Sequence, residues 1–136
     1  MFRRRSTTYY YKKPSPFKYH ISVQRIKEVL EKERFSILSE IDVKQILKSK
    51  LKVDFDEYLI LGVCNPAIML EMLSTDRSLG ILLPYNVVVY VQDGNTYIGS
   101  VIPAVKMEQA VNSNIRQWTE LMDIKLKKAI DNVTKS

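Results

Sequence analysis

The apolar positions of this chain follow two spacings, one typical of helices and one typical of strands. Spacing of three to four residues predicts helices at about 22–34, 43–51, 66–73 and 113–133. Runs rich in β-branched and aromatic residues predict strands at about 7–13, 35–41, 57–63, 85–92 and 95–102. The segment from 74 to 80 is predicted to be a loop. Most of the chain is therefore assigned to an element by its pattern alone.

Polar residues at the predicted helix starts support these assignments. Ser22, Asp42 and Asn65 are N-cap candidates, because their side chains can accept hydrogen bonds from the first turn. Pro66 suits the first helical position after Asn65. The final helix carries the most continuous apolar stripe, formed by Ile115, Trp118, Met122, Leu126, Ala129 and Val133 and widened by Leu121 and Ile130.

The strands predict a mainly antiparallel sheet. Asp93-Gly94 is typical of a two-residue hairpin turn and joins the last two strands. In the second strand, Phe35, Ile37, Ser39 and Ile41 are expected to share one face. Strands with a terminal hairpin and a long last helix indicate an α+β fold: a single mainly antiparallel sheet of about five strands with helices packed on one face. We expect one domain over residues 7–136, preceded by a basic tail at residues 1–6.

Composition is that of an ordinary globular protein, with 136 residues, 46% hydrophobic and 26% charged. No apolar run approaches the ~20 residues of a membrane helix, and the basic N terminus lacks the apolar core of a secretory signal. One cysteine cannot form an internal disulfide. A cytoplasmic location is therefore expected.

The net charge of +6 is unevenly distributed. Residues 1–27 hold eight Lys or Arg and no acid, whereas residues 28–136 hold the other 13 with all 15 acids, a balance of −2. The excess charge therefore belongs to the N-terminal segment, which includes Arg3, Arg4 and Arg5. Such an arm can bind nucleic acid, but a solvated tail is the favoured interpretation.

Two apolar runs joined by polar corners resemble a known family. They are Tyr58-Leu-Ile-Leu-Gly-Val-Cys-Asn-Pro66 and Leu79-Gly-Ile-Leu-Leu-Pro-Tyr-Asn-Val-Val-Val-Tyr90. Together they resemble the bacterial and archaeal domain of unknown function 302 family, over about residues 9–133. The resemblance implies a sheet flanked by helices in the order β-α-β-β-β-β-α, similar to TATA-binding-protein-like and helix-grip architectures. It also implies a homodimer, and it implies no activity. Family members commonly carry a second cysteine where this chain has Tyr85, which argues against a two-cysteine redox pair or metal site.

Cys64 and Asn65, with Pro66, form one corner, and Tyr85 and Asn86 form the other. If the corners lie side by side, these five residues are a candidate binding site for a small ligand or a partner. A helix N terminus beside Cys64 would lower its thiol pKa and suit a nucleophile, although a buried, inert cysteine is the commoner case. Asn65 and Asn86 also have plain structural roles as a cap and a turn residue.

Aromatic residues elsewhere allow two interpretations. Tyr85, Tyr90, Tyr97 and Trp118 either line a pocket between the sheet and the last helix or, as is more common, pack in the core. His20 is the single histidine, and neither a metal site, a cofactor nor a catalytic residue is predicted.

Three functional hypotheses remain. The first is a non-enzymatic binding or accessory domain that uses the two corners, as a homodimer. The second is a single-thiol redox or sulfur-carrier protein that uses Cys64. The third is a nucleic-acid binder whose basic arm (Arg3, Arg4 and Arg5) acts with Lys12, Lys13 and the neighbouring tyrosines Tyr9, Tyr10 and Tyr11.

Overall fold

The strands form one antiparallel sheet with the order β1-β5-β4-β3-β2. A computed structural model describes residues 8–108 and 113–135, so the predicted tail of residues 1–6 lies outside the described residues. The strands are β1 (Tyr10–Pro14), β2 (Ser36–Asp42), β3 (Tyr58–Cys64), β4 (Tyr85–Gln92) and β5 (Asn95–Val101). The helices are α1 (Tyr19–Lys32), α2 (Val43–Leu51), α3 (Pro66–Thr75), α4 (Pro103–Lys106) and α5 (Ser113–Thr134), with a 3₁₀ helix at Arg77–Leu82. The predicted α+β class is confirmed.

Helices α1 and α5 pack together on one face of the sheet, called the covered face below. Strand residues alternate between the two faces, and those that point to the helices form the core. The buried strand residues on this face are Leu59, Leu61, Val63, Tyr85, Val87, Val89, Thr96, Ile98 and Ser100. The opposite side of the sheet is called the open face.

The apolar stripe of α5 follows the prediction at most positions. Its buried members are Ile115, Met122, Leu126, Ala129, Ile130 and Val133. Leu121, which was expected to widen the stripe, is instead 42% exposed, whereas Thr119 is buried. The hydroxyl of Thr119 donates to the carbonyl of Arg116, which satisfies it without a partner outside the helix.

Two of the three predicted N-caps are confirmed. The side chains of Asp42 and Asn65 accept hydrogen bonds from the third residue after each, and Pro66 opens α3. The prediction for Ser22 is wrong, because α1 begins at Tyr19. Ser22 is buried inside α1, where its hydroxyl donates to the carbonyl of Phe17 at 3.2 Å and so anchors the loop before the helix.

A β-bulge at Leu38 overturns the predicted faces of β2. Ile37 lies opposite Val63, and Ser39 lies opposite Gly62, so Leu38 is an extra residue between the two pairs. Ile37 therefore points to the covered face, whereas Ser39 and Ile41 point to the open face. The prediction that Ile37, Ser39 and Ile41 share a face is wrong, since simple alternation cannot anticipate an inserted residue.

The Asp93-Gly94 turn is confirmed as a two-residue hairpin. Both residues have positive φ, 52° and 80°, as a type I′ turn requires. The turn sets Gln92 opposite Asn95 and carries that register along the hairpin, so that Tyr90 lies opposite Tyr97.

Two short helices lie where the sequence predicted none. The 3₁₀ helix at Arg77–Leu82 falls largely in the predicted loop and is capped by Asp76, whose carboxylate accepts from the Ser78 N–H at 2.9 Å. Helix α4 follows β5 and starts at Pro103. Across residues 8–108 and 113–135, every helix is too short or too polar to cross a membrane.

Candidate functional site

The two predicted corners are neighbours at one end of the sheet. Cys64 is the last residue of β3, and Tyr85 is the first residue of β4. The antiparallel register sets Val63 opposite Tyr85 and Gly62 opposite Asn86. The expected side-by-side arrangement of the corners is therefore present, although their side chains go to different places.

Cys64 is buried, with 2% of its surface exposed. Its burial raises the pKa of the thiol above the ordinary value of 9.0. The expectation of a lowered thiol pKa is therefore wrong, and the buried, inert interpretation of Cys64 is the one that the structure supports. Asn65 instead serves α3 directly, since its side-chain oxygen accepts from the Ile68 N–H at 3.0 Å.

Tyr85 is also buried, with 1% of its surface exposed, and it points to the covered face. Its hydroxyl contacts the Met72 Sδ at 4.0 Å, and burial raises the pKa of this phenol far above the usual range. The Lys106 ammonium lies 6.0 Å from the ring centroid and donates to the Pro84 carbonyl at 2.9 Å. Tyr85 thus packs as a core residue.

The accessible members of the predicted site face two different grooves. Asn65 and Pro66 line a shallow groove of about 690 Å³ beside Arg34 and Ser36. Asn86 is exposed on the open face and lines a second groove of about 420 Å³. Ligand binding by the five residues stays a prediction, and in this conformation a ligand reaches Asn65, Pro66 and Asn86 but not Cys64 or Tyr85.

A row of tyrosines crosses the open face. Tyr58, Tyr90 and Tyr97 lie opposite one another on β3, β4 and β5. The rings of Tyr58 and Tyr90 stack with centroids 5.0 Å apart and an interplanar angle of 10°, and those of Tyr90 and Tyr97 lie 5.5 Å apart at 30°. Cross-strand aromatic pairs of this kind stabilise a sheet. Both interpretations of Tyr90 and Tyr97, the pocket beneath the last helix and the favoured packing in the core, are therefore wrong.

Lys12 joins this row from the edge strand β1. Its ammonium donates to the Tyr90 hydroxyl at 2.8 Å and lies 5.4 to 5.6 Å from the ring centroids of Tyr10, Tyr90 and Tyr97. The hydrogen bond to Tyr90 is the main cause that raises the pKa of Lys12. The ammonium therefore remains charged at neutral pH and is held at the hydroxyl end of Tyr90, close to the rings of Tyr10 and Tyr97.

The second groove, called the tyrosine groove below, runs along the open face beside this row. Its walls include the aromatic rings of Tyr9, Tyr10, Tyr58 and Tyr90, and its floor includes Val88, Gly99 and Val101. Gly99 lies beneath Lys12: a β-carbon at this position would approach the Lys12 β-carbon to 3.3 Å. Because residue 99 has no side chain, the aliphatic part of Lys12 can pack closely against the floor of the groove.

The structure places Lys12 and Lys13, two residues of the nucleic-acid hypothesis, on opposite sides of the sheet. Lys12 lies opposite Gly99 on the open face, whereas Lys13 lies opposite Ile98 and points to the other side. The Lys13 ammonium lies 5.6 Å from the ring centroid of Tyr11. Arg3, Arg4 and Arg5 lie outside the described residues.

Sequence reasoning missed the tyrosine groove, although part of its signal was available. A two-residue turn at Asp93-Gly94 requires that Tyr90 and Tyr97 pair, because each is three residues from the turn. The contribution of Tyr58 depends on the register between β3 and β4, and that of Lys12 depends on the pairing of β1 with β5. Neither pairing is specified by a local turn.

The fold and its site define an α+β protein with helices on one face of a five-stranded antiparallel sheet and an aromatic groove on the other. The family model described as "Domain of unknown function DUF302" matches residues 11–133, so the chain belongs to this family. A similar solved structure is the "uncharacterized conserved protein DUF302 from Bacillus stearothermophilus". It has 25% identity and a TM-score of 0.86, with 93% of this chain and 99% of that chain covered. No curated protein matches the chain. The predicted family is confirmed.

Proposed function

We propose that this protein is a small binding domain that holds a ring-bearing, largely apolar small molecule in the tyrosine groove. The main observation in support of this proposal is the groove itself. It has a volume of about 420 Å³, aromatic walls and a floor that includes Val88 and Val101. Small-molecule sites are commonly apolar concavities that contain a few polar groups to orient the ligand. Here Asn86 and Lys12 are those groups.

This proposal keeps one half of the predicted corner site. Asn86 belongs to the tyrosine groove, so the Tyr85-Asn86 corner contributes its amide to a ligand. Tyr85 and Cys64 support the same end of the sheet from within the protein. A thiol role for Cys64 would require this residue to become accessible. The protein is proposed to act in the cytoplasm, where a cysteine without a disulfide is the usual state.

A neutral dye tests the groove. N-phenyl-1-naphthylamine fluoresces more strongly in an apolar site, and we expect saturable binding to the native protein. Val88→Trp fills the floor and should abolish this signal, whereas Ile124→Trp adds the same ring to an exposed position on α5 and should preserve it. Unchanged binding in Val88→Trp, with a native unfolding transition, would contradict the proposal.

We further propose that the protein is a homodimer through the exposed side of α2. The apolar residues Ile46 and Leu51 of this amphipathic helix are exposed, Leu51 to 64%, and within the described chain α2 has no buried residue. A helix of nine residues is stabilised mainly by packing, so a partner surface is expected. The helix is lysine-rich and the loop after it carries Asp54 and Asp56, which suits a two-fold pairing of unlike charges.

Light scattering coupled to gel filtration tests the dimer. We expect the mass of two chains for the wild-type protein and of one chain for Leu51→Glu, because the substitution places a charge in the interface. Ile124→Glu changes a residue of equal exposure, 64%, on α5 and should leave the mass unchanged. A wild-type monomer at micromolar concentration would refute the homodimer.

Nucleic-acid binding is a second candidate function, favoured by the charge of the open face. The strand residues on that face include Lys12 and no Asp or Glu, and three residues of sequence separate β1 from the basic arm of residues 1–6. A labelled oligothymidylate should then bind with an affinity that falls steeply with salt. Deletion of residues 1–6 should weaken that binding. No binding at low salt would eliminate this candidate.

A further inference from the structure

Lys12 is the distinctive polar group of the tyrosine groove. Among the groove-lining residues that the structure describes, Lys12 alone carries a full charge at neutral pH. The others are tyrosines, valines, Gly99, Asn86 and Ser100, all of them uncharged. A single cation in an otherwise uncharged groove makes the electrostatic preference of the site simple to state.

No carboxylate neutralises this ammonium in the structure. Lys12 is absent from the salt bridges formed within residues 8–108 and 113–135. The sequence outside those ranges contains no Asp or Glu side chain. The groups that act electrostatically on Lys12 are Tyr10, Tyr90 and Tyr97. The positive charge is therefore available to a ligand.

The hydrogen bonds of the ammonium leave room for an anion. A lysine ammonium has three donors, and the Tyr90 hydroxyl accepts one of them at 2.8 Å. The hydrogen bond to Tyr90 and the neighbouring rings of Tyr10 and Tyr97 restrict where the ammonium can move, which reduces the ordering cost of binding. Two donors in a fixed place suit a carboxylate, phosphate or sulfonate oxygen.

From these observations we propose that the ligand of the tyrosine groove is a ring-bearing small-molecule anion, whose acidic group binds Lys12 while its ring lies on Val88 and Val101. This inference rests on the proposed function of the groove. It adds the chemical class of the ligand, which the shape of the groove does not specify.

The stacking of the tyrosines favours a small molecule over a nucleic-acid strand. Tyr90 has Tyr58 on one side at 5.0 Å and Tyr97 on the other at 5.5 Å. Bases that bind along a sheet need exposed ring faces on which to stack, and the faces of Tyr90 are occupied. The ligand ring therefore enters the groove beside the row.

Two dyes of the same skeleton separate the ring from the charge. N-phenyl-1-naphthylamine is neutral, and 8-anilinonaphthalene-1-sulfonate adds a sulfonate to it. We expect the native protein to bind the sulfonate dye about tenfold more tightly or better, which is the order of a charge-assisted hydrogen bond. The preference should fall as salt increases.

Lys12→Met should remove the preference for the sulfonate dye and leave the affinity for the neutral dye within about twofold, since the variant keeps most of the apolar stem. Lys12→Arg should retain the preference, because it keeps the charge. Lys13→Met is the matched control, since Lys13 is the adjacent lysine on β1 and points to the other side of the sheet. Each variant is first shown to unfold cooperatively, because partly unfolded proteins also bind the sulfonate dye.

The outcomes separate the two proposals. If neither dye binds the native protein, the proposed function is wrong. If both bind equally, or if Lys12→Met keeps the preference, the groove is real and the anion inference is overturned. Displacement of the sulfonate dye by 1-naphthoate or by 1-naphthyl phosphate supports the inference and identifies the preferred acidic group. If an oligonucleotide displaces the dye and neither naphthyl anion does, the ligand class is nucleic acid and the inference is wrong.

Discussion

The covered and open faces of the sheet use the same residue types for opposite purposes. Tyr85 and Tyr90 lie five residues apart on β4 and therefore point to opposite faces. Tyr85 is buried and its hydroxyl contacts Met72, whereas Tyr90 is half-buried and its hydroxyl accepts from Lys12. Strand parity, and not residue type, thus decides which aromatic residue is core and which is available to a ligand.

The same contrast holds on β1. Tyr11 points to the covered face, and its hydroxyl donates to the Asp131 carboxylate of α5 at 2.6 Å. Lys12, the next residue, reaches the open face and meets no carboxylate in the described part of the chain. The polar group of Tyr11 is thus paired with a helix, whereas the ammonium of Lys12 is hydrogen-bonded to another residue of the sheet.

Truncation of one tyrosine on each face should show the largest difference. Tyr85→Ala should lower the free energy of unfolding by about 3 to 5 kcal/mol, because it empties a large buried volume. Tyr90→Ala should cost about 1 kcal/mol, since a half-buried ring loses cross-strand stacking. Urea denaturation followed by circular dichroism measures both. Equal losses would contradict the distinction between the faces.

The thiol of Cys64 should be protected by burial at the end of β3. A thiol reagent such as Ellman's reagent should modify the native protein at least about a hundredfold more slowly than the urea-unfolded protein, which corresponds to an opening free energy of about 2.7 kcal/mol. The raised thiol pKa acts in the same direction, because it lowers the thiolate fraction. Rapid native modification would restore the single-thiol hypothesis.

Removal of one hydroxyl from β1 should have a smaller effect that depends on the face. Tyr11→Phe should lower stability by about 1 kcal/mol through loss of the hydrogen bond to Asp131. Tyr10→Phe is the control, because Tyr10 points to the open face and is 41% exposed, and it should change stability by less than about 0.5 kcal/mol. The reverse order would show that β1 is not held to α5 by Tyr11.

Alkaline pH should lower the stability of the native protein through ionisation of Tyr19. Burial, with Glu57 and Asp42 as lesser causes, raises the pKa of Tyr19 from 10.0 to about 12. Between these values the unfolded chain loses the Tyr19 proton and the native protein keeps it, so stability falls as pH rises. Tyr19→Phe should make the fall between pH 10 and 12 shallower. Parallel stability curves for the two proteins across that range would show that Tyr19 does not contribute.

Local chain signals predicted the parts of the fold that neighbouring residues determine. The Asp42 and Asn65 caps, the Asp93-Gly94 turn and the apolar stripe of α5 each depend on contacts within a few residues, and all are present. The buried interpretation of Cys64 was favoured and is correct, whereas the Leu38 bulge was not predicted, because it depends on how β2 pairs with a distant strand. The two corners were recognised, but the exposure of their side chains was not.

By itself, the sequence determined the five strands and the helices α1, α2, α3 and α5, the hairpin register that pairs Tyr90 with Tyr97, and the basic character of the N-terminal segment. Tertiary structure alone decided that β3 brings Tyr58 to this pair and that β1 brings Lys12 across Gly99. The physical reason is the separation of the interacting residues along the chain. Turns, caps and apolar periodicity act between residues that are close in sequence. The pairing of β1 with β5, in contrast, closes a loop of more than 80 residues and is selected by the packing of the whole core.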